Sequence, residues 1–333
     1  MNGRKGAPAA VAVSARAPQA VPVRRALRLE WARRASVAAG IAVLFVVFSA
    51  LSDVFYQPPN LLEIMLQSAI NAVIAVGMTL VIVARGIDLS VGSIVGLTSM
   101  VASSLLDQGV AVAVAAGLAL GAVCGLLNGV AIAKLKLPDF IVTLGTLSIY
   151  RGAALIYTNG QPIYTVSHAF RALFGGTAGG IPAPVLLALA VAVLGFLLLR
   201  FTSLGEHIIA VGGNEEAARL SGIDVDAVKI AVYAISGVLS SLAGFLLVAR
   251  IGAAEPIGGS GFELQAIGAA VIGGASLFGG EGSPLGSLIG ALTLGAMQNG
   301  LTLLNVASFW QYVAAGAVVI LAVFADQITR RRG

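Results

Sequence analysis

Charge, cysteine and histidine are all scarce in this sequence. Charged residues form 11% of its 333 positions, whereas soluble domains carry roughly 25%, so water is not its main solvent. The only cysteine, Cys124, leaves no disulfide framework and no thiolate metal site. His168 and His207 stand apart in predicted loops, and neither a GxxxxGKS/T phosphate-binding loop nor an HExxH zinc motif occurs. We therefore expect no catalytic residue, no metal site and no cofactor bound by this chain.

Apolar residues dominate instead, at 58% of the composition. They come in runs of about 20 residues, the length that an α-helix needs to cross a ~30 Å hydrocarbon core. We predict an all-α fold, a polytopic membrane bundle of about ten transmembrane helices. The predicted spans are 36–52, 61–83, 89–106, 110–133, 138–157, 183–200, 226–249, 263–278, 284–304 and 307–325.

The basic residues indicate how these spans are oriented. Eight of the 20 basic residues lie in the first 34 positions, and three more lie at 330–332. With both termini in the cytoplasm, only Arg151, Arg171 and Arg250 remain for the membrane or the far side. That asymmetry satisfies the positive-inside rule, so we assign the basic charge to topology and expect no nucleic-acid partner.

The ends of the chain are predicted to be basic cytoplasmic tails, at 1–35 and 327–333, around a membrane domain at 36–326. The first tail is rich in Ala, Pro and Arg without apolar periodicity, so we expect it to be disordered. A cleaved signal peptide is the alternative. It is disfavoured because the apolar run at 36–51 is longer than a typical signal-peptide core.

Two connections are long enough to hold structure of their own. The outer one, 158–182, is rich in glycine and proline, which resist a single regular element. In the cytoplasmic one, about 201–225, Asn214 is placed to cap a short helix with Glu215 and Glu216 in its first turn. Gly222 is placed to end that helix. We predict a polar helix presented to the cytoplasm between two spans.

Glycine spacing predicts close packing between spans. Four glycines recur every four residues within the span 110–133 and therefore lie along one ridge of its helix, at Gly117, Gly121, Gly125 and Gly129. Small residues at such a ridge let two helix backbones approach each other closely. We interpret these glycines as structural.

Few side chains within the spans could act on a solute. The carboxylates Glu63, Asp88, Asp139 and Glu263 fall at or near predicted helix ends, and Asp88 is placed to cap a helix opening at Leu89. A proton relay near mid-membrane is therefore disfavoured. We name as candidates for a translocation pathway Gln67, Asn71, Asp88, Ser90, Asn128, Thr143 and Asn299. Gln67 and Asn71 share a helix face, but such amides also commonly bond across helices within bundles.

Four strings carry a family resemblance: GIDLSVGS at 86–93, LPDFIVTLGT at 137–146, GGNEEAARLSGI at 212–223 and AIGAAVIGGASLFGGEGSPLGSLIGA at 266–291. Together they resemble the ribose-type permease family of ABC importers, from about residue 60 to the end of the chain. The resemblance implies a type II importer-like subunit that moves a monosaccharide across the bacterial inner membrane. It also implies that the loop Gly205 to Ile223 couples the permease to an ATPase.

The coupling residues taken from this resemblance are Gly205, Gly212, Asn214, Glu215, Glu216, Ala217, Arg219 and Gly222. The partners it implies are an ABC ATP-binding subunit carrying ATP and Mg, a periplasmic sugar-binding protein and a second permease copy, all within membrane lipid. A related branched-chain amino-acid permease is the first alternative, and GIDLSVGS favours the sugar branch. An ion-coupled secondary transporter and a membrane protein without transport are the others.

Overall fold

The fold is an all-α bundle, as predicted. The computed structural model describes residues 40–164 and 167–331. The helices of this part are α1 Gly40–Leu51, α2 Pro58–Val83, α3 Val91–Ser104, α4 Val110–Ala133, α5 Asp139–Tyr157, α6 His168–Gly175, α7 Ala183–Phe201, α8 Ser203–Gly213, α9 Glu215–Leu220, α10 Val225–Ile251, α11 Phe262–Ile272, α12 Pro284–Leu303 and α13 Ser308–Arg331.

Each of the ten predicted spans coincides with a helix. In the described part, five helices are long and apolar enough to cross a membrane, namely α2, α4, α5, α7 and α10. With 14 and 11 residues, α3 and α11 are only about 21 Å and 17 Å long, so the predicted spans 89–106 and 263–278 were too long. The second of these stops because Gly273 packs against the backbone of Gly286 and Gly274 has φ +96°.

The helix α2 is the centre of the bundle. Every residue from Ser68 to Val83 is buried, which requires neighbours on all sides of the helix. Those neighbours are α7, α10, α11 and α12. Since a helix that is apolar all round must be enclosed, the even hydrophobicity of this span is consistent with its central position.

The glycine ridge of α4 lies against α10. A Cβ added at Gly121 would overlap the carbonyl oxygen of Gly237, and one added at Gly125 would overlap that of Tyr233. At Gly129 an added Cβ would lie 2.7 Å from the Cα of Ile230. The two backbones therefore touch, and the structural interpretation of these glycines is confirmed.

The connection 158–182, which was predicted to lie on the outer side, forms one short helix and one hairpin. Ser167 caps α6 by accepting a hydrogen bond of 3.1 Å from the backbone N–H of Phe170. The strands β1 Thr177–Ala178 and β2 Ile181–Pro182 pair antiparallel across Gly179 and Gly180, whose φ angles of +60° and +81° suit the tight turn. The connection thus holds no single regular element, as expected.

Both histidines lie in helices, so their placement in loops was wrong. His168 opens α6 and His207 lies in α8. At the end of the chain, α13 continues to Arg331, beyond the predicted end of its span at 325. The predicted tail at 1–35 lies outside the described residues, and the domain boundaries stay predictions.

Candidate functional site

The connection predicted to couple the chain to a partner consists of two helices, α8 and α9. Thr202 begins α8 by accepting a hydrogen bond of 3.1 Å from the N–H of Gly205. Gly205 packs on the end of α7, where an added Cβ would overlap the carbonyl oxygen of Leu198. Gly212 packs on the end of α2, where an added Cβ would overlap the carbonyl oxygen of Val83. Both glycines therefore seat α8 against the membrane helices.

The predicted capped helix is confirmed as α9. The side-chain oxygen of Asn214 accepts a hydrogen bond of 3.0 Å from the N–H of Ala217. At the other end Gly222 has φ +86°, and its N–H donates to the carbonyl of Arg219 at 3.0 Å. The next N–H, that of Ile223, donates to the carbonyl of Ala218 at 3.1 Å. This pair of bonds is a Schellman motif, which satisfies the last carbonyls of the helix.

Ion pairs attach α9 to the start of α10. Lys229 donates to Glu215 at 2.7 Å, and Arg219 lies 3.6 Å from Glu215 and 3.7 Å from Asp226. The hydrogen bond from Lys229 lowers the pKa of Glu215, so this carboxylate stays ionised throughout the physiological range. The helix is thereby fixed to a membrane helix as well as capped.

The carboxylate of Asp226 also reaches the connection between α4 and α5. Asp226 accepts hydrogen bonds from Lys134 at 3.2 Å and from Lys136 at 2.7 Å. Three residues after Lys136, Asp139 opens α5. Asp226 therefore links α9, through Arg219, to the α4–α5 connection.

One face of α9 points away from the bundle. We define the docking face as Glu216, Ala217 and Leu220, which are all exposed and share one side of the helix. Leu220 is 81% exposed, which is unusual on a polar helix outside the apolar spans. Sequence reasoning missed Leu220, although a large apolar residue at the end of a short helix that begins with two glutamates was a usable signal. Such a face suits contact with another protein.

Three of the seven pathway candidates meet in one place, between α3, α4, α5 and α10, and a fourth lies beside them. We call this cluster the Asp88 node: it comprises Asp88, Ser90, Asn128, Tyr150 and Ser236. The carboxylate of Asp88 accepts from the N–H and hydroxyl of Ser90, at 3.0 Å and 2.6 Å, and from the hydroxyl of Ser236 at 2.9 Å. Asn128 donates to the Ser90 hydroxyl at 2.8 Å and accepts from Tyr150 at 3.3 Å.

The predicted cap at Leu89 is wrong. The helix α3 begins at Val91 after Ser90, and the fully buried Asp88 joins the preceding segment to α10 through Ser236. Among the described residues no cation lies within salt-bridge distance of this carboxylate. These three donors therefore satisfy the oxygens of a carboxyl group that would otherwise be costly to bury in the bundle.

The fourth candidate, Thr143, lies beside the node and bonds to the non-helical segment 84–90. Its hydroxyl donates to the carbonyl of Ile87 at 3.3 Å, and the hydroxyl of Tyr233 donates to the same carbonyl at 3.1 Å. The N–H of Ile87 donates to Asp139 at 2.7 Å. These bonds satisfy backbone groups of an irregular segment that has no helical partners of its own. Sequence reasoning missed the roles of Tyr150, Tyr233 and Ser236, for which a polar group on an apolar helix was the only signal.

The other three candidates lie near the start of α2. Gln67 donates to Gln298 at 3.3 Å, and Asn71 donates to Gln265. Asn299 exchanges two hydrogen bonds of 2.9 Å with Asn60. Gln67 and Asn71 thus face different helices, α12 and α11. All three bond across helices, so their part in a pathway stays a prediction.

Some buried polar atoms have no hydrogen-bond partner within the described residues. They include Asn71 Oδ1, Arg151 Nη2 and Glu263 Oε2. The polar side chains within the bundle are therefore mostly neutral amides and hydroxyls, with a few charged groups. Side chains of these kinds can form hydrogen bonds with the hydroxyls of a neutral solute.

The comparison with known proteins decides the family. Residues 60–323 match the family described as "Branched-chain amino acid transport system / permease component". The chain belongs to this permease family. Similarity to ribose import permeases within this family confirms the predicted ribose-type resemblance.

Curated members of this permease family are similar to the chain over nearly its whole length. The ribose import permease protein RbsC of Escherichia coli K12 is 45% identical, with 92% of this chain and 98% of that protein covered. RbsC of Bacillus subtilis is 43% identical over 86% and 91% of the two chains. The D-allose transport system permease protein AlsC of Escherichia coli K12 is 40% identical over 86% and 90%. No solved structure matches the chain.

Proposed function

We propose that this chain is the membrane-spanning permease subunit of an ATP-binding cassette importer for a monosaccharide, ribose or a similar sugar. The observation that carries the proposal is the 45% identity to a ribose import permease across 92% of the chain. Allose, xylose and arabinose permeases among the relatives keep the substrate class at monosaccharides.

The proposed assembly contains three kinds of partner. An ATP-binding subunit holds ATP and Mg, because this chain has no phosphate-binding loop of its own. We place its docking site on α9, where Leu220 is 81% exposed. A periplasmic sugar-binding protein delivers the substrate on the opposite side, and a second permease copy completes the channel. Both termini lie in the cytoplasm, on the side where most basic residues fall.

The proposed mechanism begins at the docking face. ATP closes the partner subunits, and their movement displaces α9 as a rigid capped unit. The pairs from Glu215 to Lys229 and from Arg219 to Asp226 carry that displacement into α10. The Lys136 bond to Asp226 carries it into α5, whose first residue holds the segment 84–90. Coupling thus runs from the docking face to the polar residues of the interior.

A branched-chain amino-acid substrate is the second candidate, because the family description names that class. An ion-coupled mechanism is less well supported, since Asp88 is held by three hydrogen bonds within the bundle rather than placed in an open cavity. The two alternatives differ from the proposal in substrate and in energy source, so one experiment can separate them.

The test is uptake into proteoliposomes that contain this chain with the ATPase and binding protein encoded beside it. Radiolabelled ribose should enter only with ATP and binding protein present, and leucine should not enter. An uncoupler added while ATP is maintained should leave ribose uptake unchanged. Leucine uptake would support the amino-acid alternative, and loss of uptake with the uncoupler would contradict the ATP-driven mechanism.

A further inference from the structure

A cavity of about 260 Å³ opens beside the segment 84–90, where the ends of α2 and α4 meet the starts of α5 and α10. It lies at the same end of the bundle as α9. A water molecule occupies about 30 Å³ in the liquid, so the cavity has the volume of about nine waters. That is enough room for the headgroup of a phospholipid. The lining is mixed, with charged groups around apolar walls that include Val81, Ile132 and Val232.

Three cations line this cavity: Arg85, Lys136 and Lys229. Within residues 40–164 and 167–331, the guanidinium of Arg85 has no hydrogen-bond or ion-pair partner. Lys136 and Lys229 each donate one short bond, to Asp226 and Glu215, and an ammonium group has three donors. Donors therefore remain on all three side chains, which is what a phosphate group needs.

A carboxylate also lines the cavity. Asp139 accepts one hydrogen bond, from the N–H of Ile87, and a carboxylate has room for about three more. It repels a bare phosphate but accepts a hydroxyl. The combination of cations with one acceptor therefore favours a phosphate that carries a hydroxyl-bearing substituent.

The surroundings of the cavity are apolar and exposed. Leu137 lines it and is 46% exposed, and its neighbours Leu135, Phe140 and Ile141 are 66%, 51% and 64% exposed. A free anion would leave this apolar surface uncovered, whereas the acyl chains of a lipid would cover it. Basic pockets between membrane helices at a membrane surface are typical sites for anionic lipid headgroups.

We propose that this cavity binds the glycerol-phosphate headgroup of an anionic phospholipid, with its acyl chains along Leu135, Phe140 and Ile141. Arg85, Lys136 and Lys229 bind the phosphate, and Asp139 accepts a glycerol hydroxyl. The inference goes beyond the proposed transport function. Its test reads lipid binding and does not depend on uptake.

The experiment is native mass spectrometry of the full chain, released from nanodiscs of phosphatidylglycerol and phosphatidylcholine. The wild type should retain phosphatidylglycerol selectively. Arg85→Gln should weaken that retention by on the order of tenfold, the cost of one charge-assisted bond. Arg200→Gln is the matched control, because Arg200 is an exposed arginine at the end of α7 outside the cavity, and it should change nothing.

Arg85→Lys is the control for misfolding at this position, since it keeps the charge and should keep most of the bound lipid. Equal retention by the Arg85→Gln and Arg200→Gln variants would overturn the proposal, and so would equal retention of both lipids by the wild type. Inorganic phosphate forms the last arm. If it displaces the lipid at low millimolar concentration, the cavity is a free-anion site and the lipid assignment fails.

Discussion

Shortening Leu220 to alanine should weaken binding of the ATP-binding subunit to this permease. The side chain is 81% exposed at the end of α9, so docking of a partner is the event that can bury it. Full burial of a leucine contributes roughly 1.5–3 kcal/mol. Removal of all but its Cβ should therefore cost about 1–2 kcal/mol, a roughly 5- to 30-fold rise in Kd.

The docking face is a cleaner place for this test than the acidic residues of α9. Glu215 is tied to Lys229 and Arg219, so reversing its charge would disturb the helix itself as well as any partner contact. Leu220 takes part in no such bond, and its loss should leave the folded state unchanged. Thermal unfolding of the purified permease checks that expectation.

The assay is the affinity of the purified ATPase for the permease in nanodiscs, together with the ATP hydrolysis that the permease stimulates. Leu194→Ala is the matched control, since Leu194 is 63% exposed on the membrane helix α7 and should contact lipid. An Leu220→Ala variant that binds as tightly as the wild type would refute the placement of the interface. Equal weakening by Leu194→Ala would show that the effect is not local to α9.

Two further predictions concern the bundle itself. Gly125→Ala should destabilise the permease by about 1–3 kcal/mol, because the new Cβ would overlap the carbonyl of Tyr233. Gly145→Ala should not, because its Cβ has open space around it. Thermal unfolding in detergent compares the two variants. Asp139→Ala should cost about 1–3 kcal/mol by leaving the N–H of Ile87 unpaired, and Asp139→Asn, which keeps an acceptor oxygen, should cost less. Equal melting temperatures within either pair would contradict its reasoning.

The helices could be predicted from the sequence because membrane spans are encoded by local apolar runs. The start of α9 at Asn214 and its end at Gly222 could also be predicted, because each depends on a hydrogen bond to a residue three positions away. The early end of α11 was not, because it depends on contact between Gly273 and Gly286 from a later helix.

The candidate site was predicted only in part for the same reason. Asp88, Ser90 and Asn128 were named as separate residues, and only the packing of α3, α4 and α10 brings them together. The partners Tyr150 and Ser236 come from helices 60 to 150 positions along the chain from Asp88. Such pairings leave no periodic trace in a single sequence.

The glycine ridge of α4 also bears on how the chain is made. Gly121 and its contact Gly237 are 116 positions apart, so at about 5–20 residues per second roughly 6–23 s separate their synthesis. During that interval the ridge faces lipid or a temporary neighbour, because α10 has not yet left the ribosome. A chain truncated before residue 225 never gains this partner, so the glycine ridge of α4 stays uncovered.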